Sequence, residues 1–390
     1  MKPAPDHSIF RRILIFCLFP AGTGAVQAQT LYSGDGIPTP LEEEIRWHVN
    51  RARFDRTSEN AARSTSYTDV PISAPPVAPN NSLTLAARHH SEDMAKKNKF
   101  QHETVPGSAY YNANTQPQPW DRFRAEGYVN FVAVSENIAA GQTTAEMAYI
   151  GWWNSTGHRV NLGSASYREI GNGYFFWQAA SYDHYYTMDL GTRSDSFFTD
   201  TLFYDANGNG KYTQGEGVGG VRVSLRINGA EHAFYDIAAA PGSFAVPVTS
   251  ITRGVTVEVW LTNTNGSAVT LSIPRSYQTL EAMPLAAGGS AIAGTISHPG
   301  SGVNFGFRNL TKATTVPVSV PPVTLTKSGS AVQVAWQSQS GLQYQAQWSG
   351  NLNAWTDFAG GFRNGTGGVM TQADTSTAAK RYYRLKVRRP

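Results

Sequence analysis

The most informative segment of this chain is GWWNSTGHRVNL, residues 151–162. A helical, aromatic run is interrupted at residues 155–157, Ser-Thr-Gly, and a histidine, His158, follows at once. Two fragments of the same kind lie upstream, where His102 and Glu136 each come just beyond a helical or apolar stretch. Imidazoles and a carboxylate are the groups that a proton-transfer or metal site needs. The sequence therefore predicts one cleft, provided that the three segments converge. From spacing alone, the alternative is that His158 only satisfies backbone groups after a helix and that His102 is an exposed loop residue.

Residues 1–28 have the three parts of a secretory signal peptide. A basic start with Arg11 and Arg12 precedes a short apolar core, and a small-residue cleavage site ends at Ala28. Cys17 lies in that core, so the mature chain has no cysteine and must gain its stability from burial rather than from disulfides. We expect a secreted protein, located outside the cell or in the periplasm.

The composition favours exported, β-rich modules. Charged residues make up 15% of the chain, well below the roughly 25% that is usual for soluble domains. The formal net charge is only +4, and no basic run with interleaved aromatic residues is present. These features argue against a nucleic-acid partner. No segment of the mature chain is apolar for long enough to span a bilayer. We expect a monomer.

The order of the patterns predicts an α+β protein. Capping boxes at residues 39–42 and 143–146 open helices, and Ser82 is expected to cap another helix. Residues 57–81 are polar and then proline-rich, which predicts a long surface loop. Short, aromatic, β-prone runs begin at Glu169, and alternating apolar runs fill the rest of the chain. The expected domains are residues 1–28 (signal peptide), 36–193 (mixed domain), 196–310 (β-sandwich), 311–322 (linker) and 323–390 (β-sandwich).

The mixed domain resembles a known family. The segments that carry the resemblance are Val49–Arg53, Ala86–Ala95, Phe100–His102, Asp121–Phe123, Glu136–Ala139, Trp152–Leu162 and Glu169–Gly171. In this order they are similar to bacterial members of the CAP superfamily, which comprises cysteine-rich secretory, antigen 5 and pathogenesis-related proteins. The resemblance implies an α-β-α sandwich in which His102, Glu136 and His158 line a central cleft.

Two positions depart from the family's pattern. Many animal members carry a further cleft glutamate after the paired aromatic residues, where this chain has Asn154 and Ser155. Ser135 stands where a glycine usually precedes the cleft glutamate. If that glycine has a positive φ, the backbone at Ser135 must differ or be strained.

The cleft residues leave more than one function open. A catalytic zinc site normally has three protein ligands, whereas His102 and His158 supply two. Glu136 could be the third ligand, but then no obvious base remains. We expect a cleft that binds a ligand (a cell-envelope component, a lipid or a protein), with zinc on the two histidines as an additional prediction. The alternatives are a metal-dependent, peptidase-like hydrolase and an adhesive exoprotein whose cleft is vestigial. His89 and His90 lie mid-helix, and one of them is expected to pack near the cleft.

Residues 205–216 fit the EF-hand loop at each defining position. The expected calcium ligands are Asp205, Asn207, Asn209, the Lys211 carbonyl and Glu216. The flanking segments are β-like rather than helical, which resembles the calcium-stiffened B-type repeats of bacterial adhesins. Only two of these ligands are carboxylates, so the expected dissociation constant is about 0.1–1 mM. A plain Asn-Gly turn cluster is the alternative.

The last segment, residues 323–390, is similar to fibronectin type III modules of exported bacterial proteins. Trp336, Trp348 and Trp355 could form a carbohydrate platform, but we expect them to pack in the core.

Overall fold

The computed structural model describes residues 35–228, 230–312, 320–329, 331–339, 342–376 and 380–388. The predicted signal peptide lies outside these residues, and so does most of the predicted linker. Within the described ranges, no helix combines the length and the apolar character that crossing a bilayer requires.

The helices of the described residues all precede residue 164, apart from one short turn of 3-10 helix at Phe307–Asn309. They are α1 Pro40–Phe54, α2 Arg56–Arg63, α3 Asn81–Lys97, α4 Pro119–Ala125, α5 Ala145–Asn154 and α6 Thr156–Gly163. At the start of α1, the Thr39 hydroxyl accepts from the Glu42 amide at 3.3 Å, and the Glu42 carboxylate accepts from the Thr39 amide at 2.7 Å. The capping box predicted at Thr39 therefore lies at a helix start. The helix predicted from residues 143–146 is also present as α5, but its cap is Thr144 rather than Thr143, since the Thr144 hydroxyl accepts from the Met147 amide at 3.1 Å.

Two local predictions were wrong. Helix α2 lies inside the segment predicted to be a surface loop. It is capped by Asp55, and its Glu59 turns inward to pair with Arg51 at 2.7 Å. Helix α3 is capped by Asn80 rather than by Ser82, because the Asn80 side chain accepts from the Leu83 amide at 3.1 Å. The sequence pattern alone revealed neither the ion pair between Arg51 and Glu59 nor the cap at Asn80.

Four strands form the sheet of the helical region. They are β1 Ala78–Pro79, β2 Ala133–Ala140, β3 Glu169–Phe176 and β4 His184–Thr192, in the spatial order β1-β3-β4-β2. The β1–β3 pair is parallel, and the other pairs are antiparallel. Strand β2 is therefore an edge strand, and it pairs residue by residue with β4.

Helices pack on both faces of this sheet. On one face, Tyr186 and Met188 of β4 are buried in a cluster with Ile45 of α1 and Trp152 of α5. On the other face, Tyr185 packs against Met94 of α3. Successive strand residues point to opposite faces, so this alternation along β4 separates two cores.

Glycine allows α3 to lie close to the sheet. A Cβ atom on Gly171 of β3 would come within 2.1 Å of the backbone at Leu83 and Thr84, and one on Gly173 within 2.2 Å of the backbone at Ala87 and Arg88. The helix therefore lies directly on β3, which fixes the height of its inward-facing side chains above the sheet.

The region after residue 196 is made mainly of strands. Those up to residue 312 are β5 Phe197–Thr201, β6 Val221–Ile227, β7 Ala230–Ile237, β8 Ser243–Pro247, β9 Thr256–Asn263, β10 Val269–Ser276, β11 Thr279–Leu285, β12 Ser290–Ser297 and β13 Thr311–Lys312. They form a five-stranded sheet ordered β13-β12-β9-β6-β7 and the pairs β10-β11 and β5-β8. Phe198, Val223, Val259 and Phe307 belong to their shared, fully buried core.

The remaining strands make smaller sheets. They are β14 Thr324–Ser328, β15 Ala331–Gln337, β16 Gln343–Ser349, β17 Thr356–Asp357, β18 Arg363–Asn364, β19 Val369–Asp374 and β20 Tyr382–Arg388. Their core contains Trp336 and Tyr344, and it also contains Trp260 and Ile292 from β9 and β12. The last segment thus shares a core with the preceding one. The mixed helix and strand content matches the predicted α+β class, while the sandwich arrangement of the two later modules stays a prediction.

The helical region is joined to the first strand region by a buried polar contact. Arg46 of α1 is 1% exposed and donates to the Asp200 carbonyl at 2.9 Å and to the Thr201 hydroxyl at 3.0 Å. Next to it, Trp47 packs against Phe203 and Tyr277. Hydrogen bonds to a planar guanidinium are directional. The bonds of Arg46 therefore fix the orientation of α1 relative to β5, and the two regions are held in one arrangement.

Candidate functional site

His102 and Glu136 come together beside the edge strand. Helix α3 ends at Asn98, which has a left-handed backbone (φ 52°) and turns the chain toward His102. Glu136 lies on β2, and its Oε1 is 2.9 Å from His102 Nδ1. The Glu136 side chain is 2% exposed and that of His102 is 46% exposed. A buried carboxylate therefore orients a half-exposed imidazole.

Arg122 of α4 holds the other oxygen of this carboxylate. Its Nη2 donates to Glu136 Oε2 at 2.6 Å, and its Nη1 donates to the Thr104 hydroxyl at 3.3 Å. The guanidinium is fully buried. Although burial opposes ionisation, the charge of Arg122 and the hydrogen bond with His102 hold the pKa of Glu136 at about 2. Both oxygens of Glu136 are therefore engaged in the ionised state.

His158 approaches from the other side of β2. It lies in the first turns of α6, and its backbone carbonyl accepts from the Asn137 side chain at 3.0 Å. Asn137 in turn accepts from Asn161 at 2.9 Å. Because Glu136 and Asn137 are neighbours on a strand, they point to opposite faces. The edge strand thus holds one histidine segment on each of its sides.

The two imidazoles have opposite shifts. The hydrogen bond to Glu136 raises the pKa of His102. Burial, together with the positive charge of His102, lowers the pKa of His158. The charge of His102 therefore acts on His158 across the edge strand. Among the described residues, however, no group of three or more His, Cys, Asp or Glu side chains is arranged to hold a metal ion.

His90 is the mid-helix histidine that reaches the site. Its Nε2 donates to the Gln101 carbonyl at 2.9 Å and is 3.9 Å from Glu136 Oε1. Burial lowers the pKa of His90 to about 4, so its ring is neutral at physiological pH. Its bond to Gln101 fixes the segment that carries His102. His89 instead contacts Glu126 at 3.0 Å and stacks on Tyr110, outside the cleft.

Ser135 does not strain the strand. It lies within β2, paired with Leu190, and it is absent from the non-glycine residues of positive φ. The backbone at Ser135 is therefore unstrained, because an extended strand accepts serine as readily as glycine.

Sequence reasoning missed two residues of the site. Arg122 occurs in a segment that carries the family resemblance, but nothing in its spacing distinguishes it from Arg124, whose side chain is 53% exposed. Asp189 lies directly opposite Glu136 on β4 and is fully buried. The sequence signal that could have identified Asp189 is its acidic side chain within an otherwise apolar strand pattern.

The loop at residues 205–216 closes around its acidic side chains. Asp205 accepts from the amides of Asn209 and Gly210, each at 3.0 Å. Glu216 accepts from the amides of Ala206 at 3.0 Å and Thr213 at 2.9 Å. The first and twelfth positions of the loop therefore face the same interior.

The same loop contacts the helical region. Gln214 donates to Glu44 of α1 at 2.9 Å, and Lys211 Nζ is 3.1 Å from Glu146 of α5. Tyr212 is 1% exposed and packs against Phe203. The loop is thus part of the contact between the two regions.

Of the three tryptophans of the last segment, Trp336 is buried in the core, and Trp348 and Trp355 are half-buried beside arginine side chains. Trp336 is 2% exposed in the core. The guanidinium of Arg381 lies 3.6 Å from the ring centroid of Trp348, and that of Arg384 lies 4.2 Å from the ring centroid of Trp355. These contacts favour packing over a carbohydrate platform.

The comparisons with known proteins concern the helical region. The family described as "CAP: Cysteine-rich secretory protein family" matches residues 71–190. Residues 71–190 therefore form a CAP domain, as the resemblance implied for this part of the chain. The adhesin-like and fibronectin-like modules stay predictions.

Two curated relatives come from Bacillus subtilis (strain 168). "Uncharacterized protein YkwD" is 34% identical over 99 residues, which are 25% of this chain and 35% of that protein. "Uncharacterized membrane protein YlbC" is 38% identical over 84 residues, which are 22% of this chain and 21% of that protein. The chain thus spans about a third or less of the length of these relatives.

Two solved structures are also similar. One is an extracellular protein containing a SCP domain from Bacillus anthracis str. Ames, with 27% identity, a TM-score of 0.26, and coverage of 35% of this chain and 37% of that one. The other is an outer surface protein from Borrelia burgdorferi, with 15% identity, a TM-score of 0.25, and coverage of 30% of this chain and 77% of that one.

Proposed function

Taking residues 71–190 as a CAP domain, we propose that this is a secreted protein whose cleft binds a ligand or an envelope component through His102, Glu136 and His158. One observation carries the proposal. A fully buried Arg122 and a buried Glu136 fix an imidazole that is itself 46% exposed. Burying an ion pair costs free energy, and here the pair supports a group that faces solvent.

The cleft offers a donor and an acceptor. Glu136 occupies Nδ1 of His102, so Nε2 of this ring is the nitrogen left for a ligand. When protonated, Nε2–H donates to an anionic or carbonyl oxygen. His158, whose pKa is lowered, is neutral at the same pH and offers a lone pair. The pair suits a ligand that carries both an acceptor and a donor, such as a phosphodiester headgroup or a peptide.

The same rings fit a divalent metal in part. A metal-binding histidine commonly donates its second ring nitrogen to a carboxylate, which orients the ring, and His102 has this arrangement with Glu136. His102 Nε2 and His158 would hold zinc, and Glu136 would support His102 rather than act as a third ligand, because both its oxygens are already engaged. A bound zinc would supply Lewis-acid chemistry.

Hydrolysis outside the cell is the second candidate. The pKa of His102 is raised and that of His158 is lowered. Opposite shifts of two titratable groups in one site suit one group to act as the acid and the other as the base, here His102 and His158 respectively. The metal-dependent form of this hypothesis predicts zinc-dependent cleavage of a fluorogenic peptide that is lost in Glu136→Gln. Zinc-independent or absent turnover would exclude it.

Binding experiments test the first proposal. The full chain is titrated with zinc alone, with phosphatidylglycerol vesicles, with neutral phosphatidylcholine vesicles and with soluble peptidoglycan fragments. We expect at least one probe to bind and to lose about tenfold or more in affinity in His102→Gln, which is what losing a charge-assisted hydrogen bond costs. His158→Gln should also weaken binding, by the smaller amount that a neutral hydrogen bond contributes. His184→Gln is the matched control, because this histidine bonds Tyr174 instead. Equal binding of all variants, or no binding by any probe, would favour the vestigial cleft of an adhesive protein.

We also propose that residues 205–216 bind calcium in a structural role. Asp205 and Glu216 face one interior, and hard oxygen ligands at these spacings suit calcium. Calorimetry should detect weak calcium binding that Asp205→Ala abolishes. An unchanged titration in that variant would identify the segment as a turn cluster.

A further inference from the structure

Asp189 is a carboxyl group buried beneath the cleft. It lies on the central strand β4, in direct register with Glu136 of β2 and Gly171 of β3. Directly opposite residues of an antiparallel pair point to the same face, with Cβ atoms about 5 Å apart. Asp189 is 0% exposed, and it therefore faces Glu136 with no access to solvent.

No donor reaches this carboxyl group. Neither Oδ1 nor Oδ2 of Asp189 accepts a hydrogen bond in the described structure. The nearby cation, Arg122, directs Nη2 to Glu136 and Nη1 to Thr104. The other titratable groups that act on this position are Glu136 and Tyr111. An ionised carboxylate with neither a cation nor a donor of its own is too costly to bury.

A single proton between the two facing carboxyl groups would account for this arrangement. Two ionised carboxylates are both acceptors and cannot bond each other, whereas one proton between them makes a hydrogen bond. Burial raises the pKa of Asp189, and the negative charge of Glu136 raises it further. Glu136 keeps its charge because Arg122 and His102 neutralise it.

We propose that Asp189 is an uncharged positioning residue of the cleft, whose protonated carboxyl group donates a hydrogen bond to Glu136 and so aims that carboxylate at His102. Glu136 then has three supports: Arg122 at Oε2, His102 at Oε1, and Asp189 from the neighbouring strand. The pair of Asp189 and Glu136 then buries only one negative charge, because Asp189 keeps its proton.

This inference deepens the proposed function, but its tests read Asp189 and His102 directly. They give the same answer whether or not any ligand binds, so failure of the binding proposal and failure of this one are distinguishable.

The protonation state is measured on the wild-type chain. Carbon-13 labelling of aspartate side chains followed by NMR at pH 8 should show one carboxyl group that is still protonated. Asp200, whose pKa burial raises to about 6, is ionised at that pH. The signal should disappear in Asp189→Asn and persist in Asp236→Asn, the matched control on β7. If every aspartate of the wild type is ionised at pH 8, the proposal is wrong.

The positioning role is measured as the pKa of His102 by NMR. Asp189→Asn is neutral and keeps a donor, so the pKa should change by less than about 0.3 unit. Asp189→Leu has no donor, so Glu136 attracts the imidazolium more strongly and the pKa of His102 should rise. An ionised Asp189 would instead make Asp189→Asn lower that pKa by about one unit or more. That fall, or no change in Asp189→Leu, would overturn the proposal.

Discussion

The cleft and the loop at residues 205–216 are built in opposite ways. The loop has its predicted oxygen ligands within twelve consecutive residues, and the hydrogen bonds of its Asp205 and Glu216 carboxylates join positions at most ten residues apart. The proposed cleft would take its groups from the segment after α3, from α4, from β2 and from α6, and the contact between His102 and Glu136 joins residues 34 positions apart. A local site can form wherever its segment folds. A non-local site depends on the packing of the whole domain, and it fails with that packing.

The largest expected effect is on the cleft. Arg122→Leu leaves Glu136 buried without its cation, and we expect the free energy of unfolding to fall by about 3–5 kcal/mol. Urea unfolding measures it. Arg124→Leu, on the same helix but exposed, should cost less than about 0.5 kcal/mol. Adding Glu136→Gln to Arg122→Leu should recover part of the loss, since the uncompensated charge is then gone. If Arg122→Leu lowered the free energy of unfolding by less than about 1 kcal/mol, Glu136 would not depend on this distant cation, and the contrast with the loop would fail.

A smaller effect is expected at the loop. With a dissociation constant of about 0.1–1 mM, calcium at about 10 mM should raise the free energy of unfolding by about 1.4–2.7 kcal/mol. Glu216→Gln should remove this gain, because the twelfth position loses its bidentate carboxylate. Glu103→Gln, an exposed change outside the loop, should keep it. The comparison would fail if calcium stabilised the Glu216→Gln protein as much as the wild type.

The pH dependence of the His102–Glu136 pair should be smaller still. Because the pKa of His102 is raised, its contribution is complete below the unfolded value of about 6.5 and is lost as the pH rises through the folded value. Glu136 stays ionised down to about pH 2. The side chain of His102 is 46% exposed, so solvent screening limits the contribution to below about 1 kcal/mol.

The measurement compares wild type with His102→Gln at pH 5.5 and 8.5. The substitution should cost more at the lower pH. His184→Gln should show the opposite sign, because burial lowers the pKa of His184 and its protonation destabilises the fold. An equal cost of His102→Gln at both pH values would show that the pair is not charge-assisted.

The smallest effect is expected for Lys211→Met, which changes a side chain of the loop and keeps the backbone carbonyl at that position. Lys211 contributes its carbonyl to the predicted calcium site, while its ammonium group pairs with Glu146 of α5. Both side chains are partly exposed, so Lys211→Met should cost less than about 0.5 kcal/mol. Calcium affinity by calorimetry should be unchanged. A loss of more than about threefold would mean that the contact with α5 shapes the site, and the loop would then be less local than its sequence indicates.

The amino-acid sequence by itself determined the features that depend on neighbouring residues. Thr39 marks a helix start because the cap and its partner, Glu42, lie three residues apart. The CAP segments were recognisable because their residues occur in short runs in a fixed order. The loop pattern at residues 205–216 was complete for the same reason. Helix α2 was missed because its stabilising pair, Arg51 and Glu59, spans a helix break.

Only the tertiary structure decided which charges share the cleft. Arg122 and Arg124 are two residues apart on one helix, yet one is buried against Glu136 and the other faces solvent. Asp189 became part of the site only through the register of β2 against β4. The energy of a charge is set by its burial and its partners rather than by its neighbours in the chain. Those partners come from strand order and helix packing, which bring distant segments together.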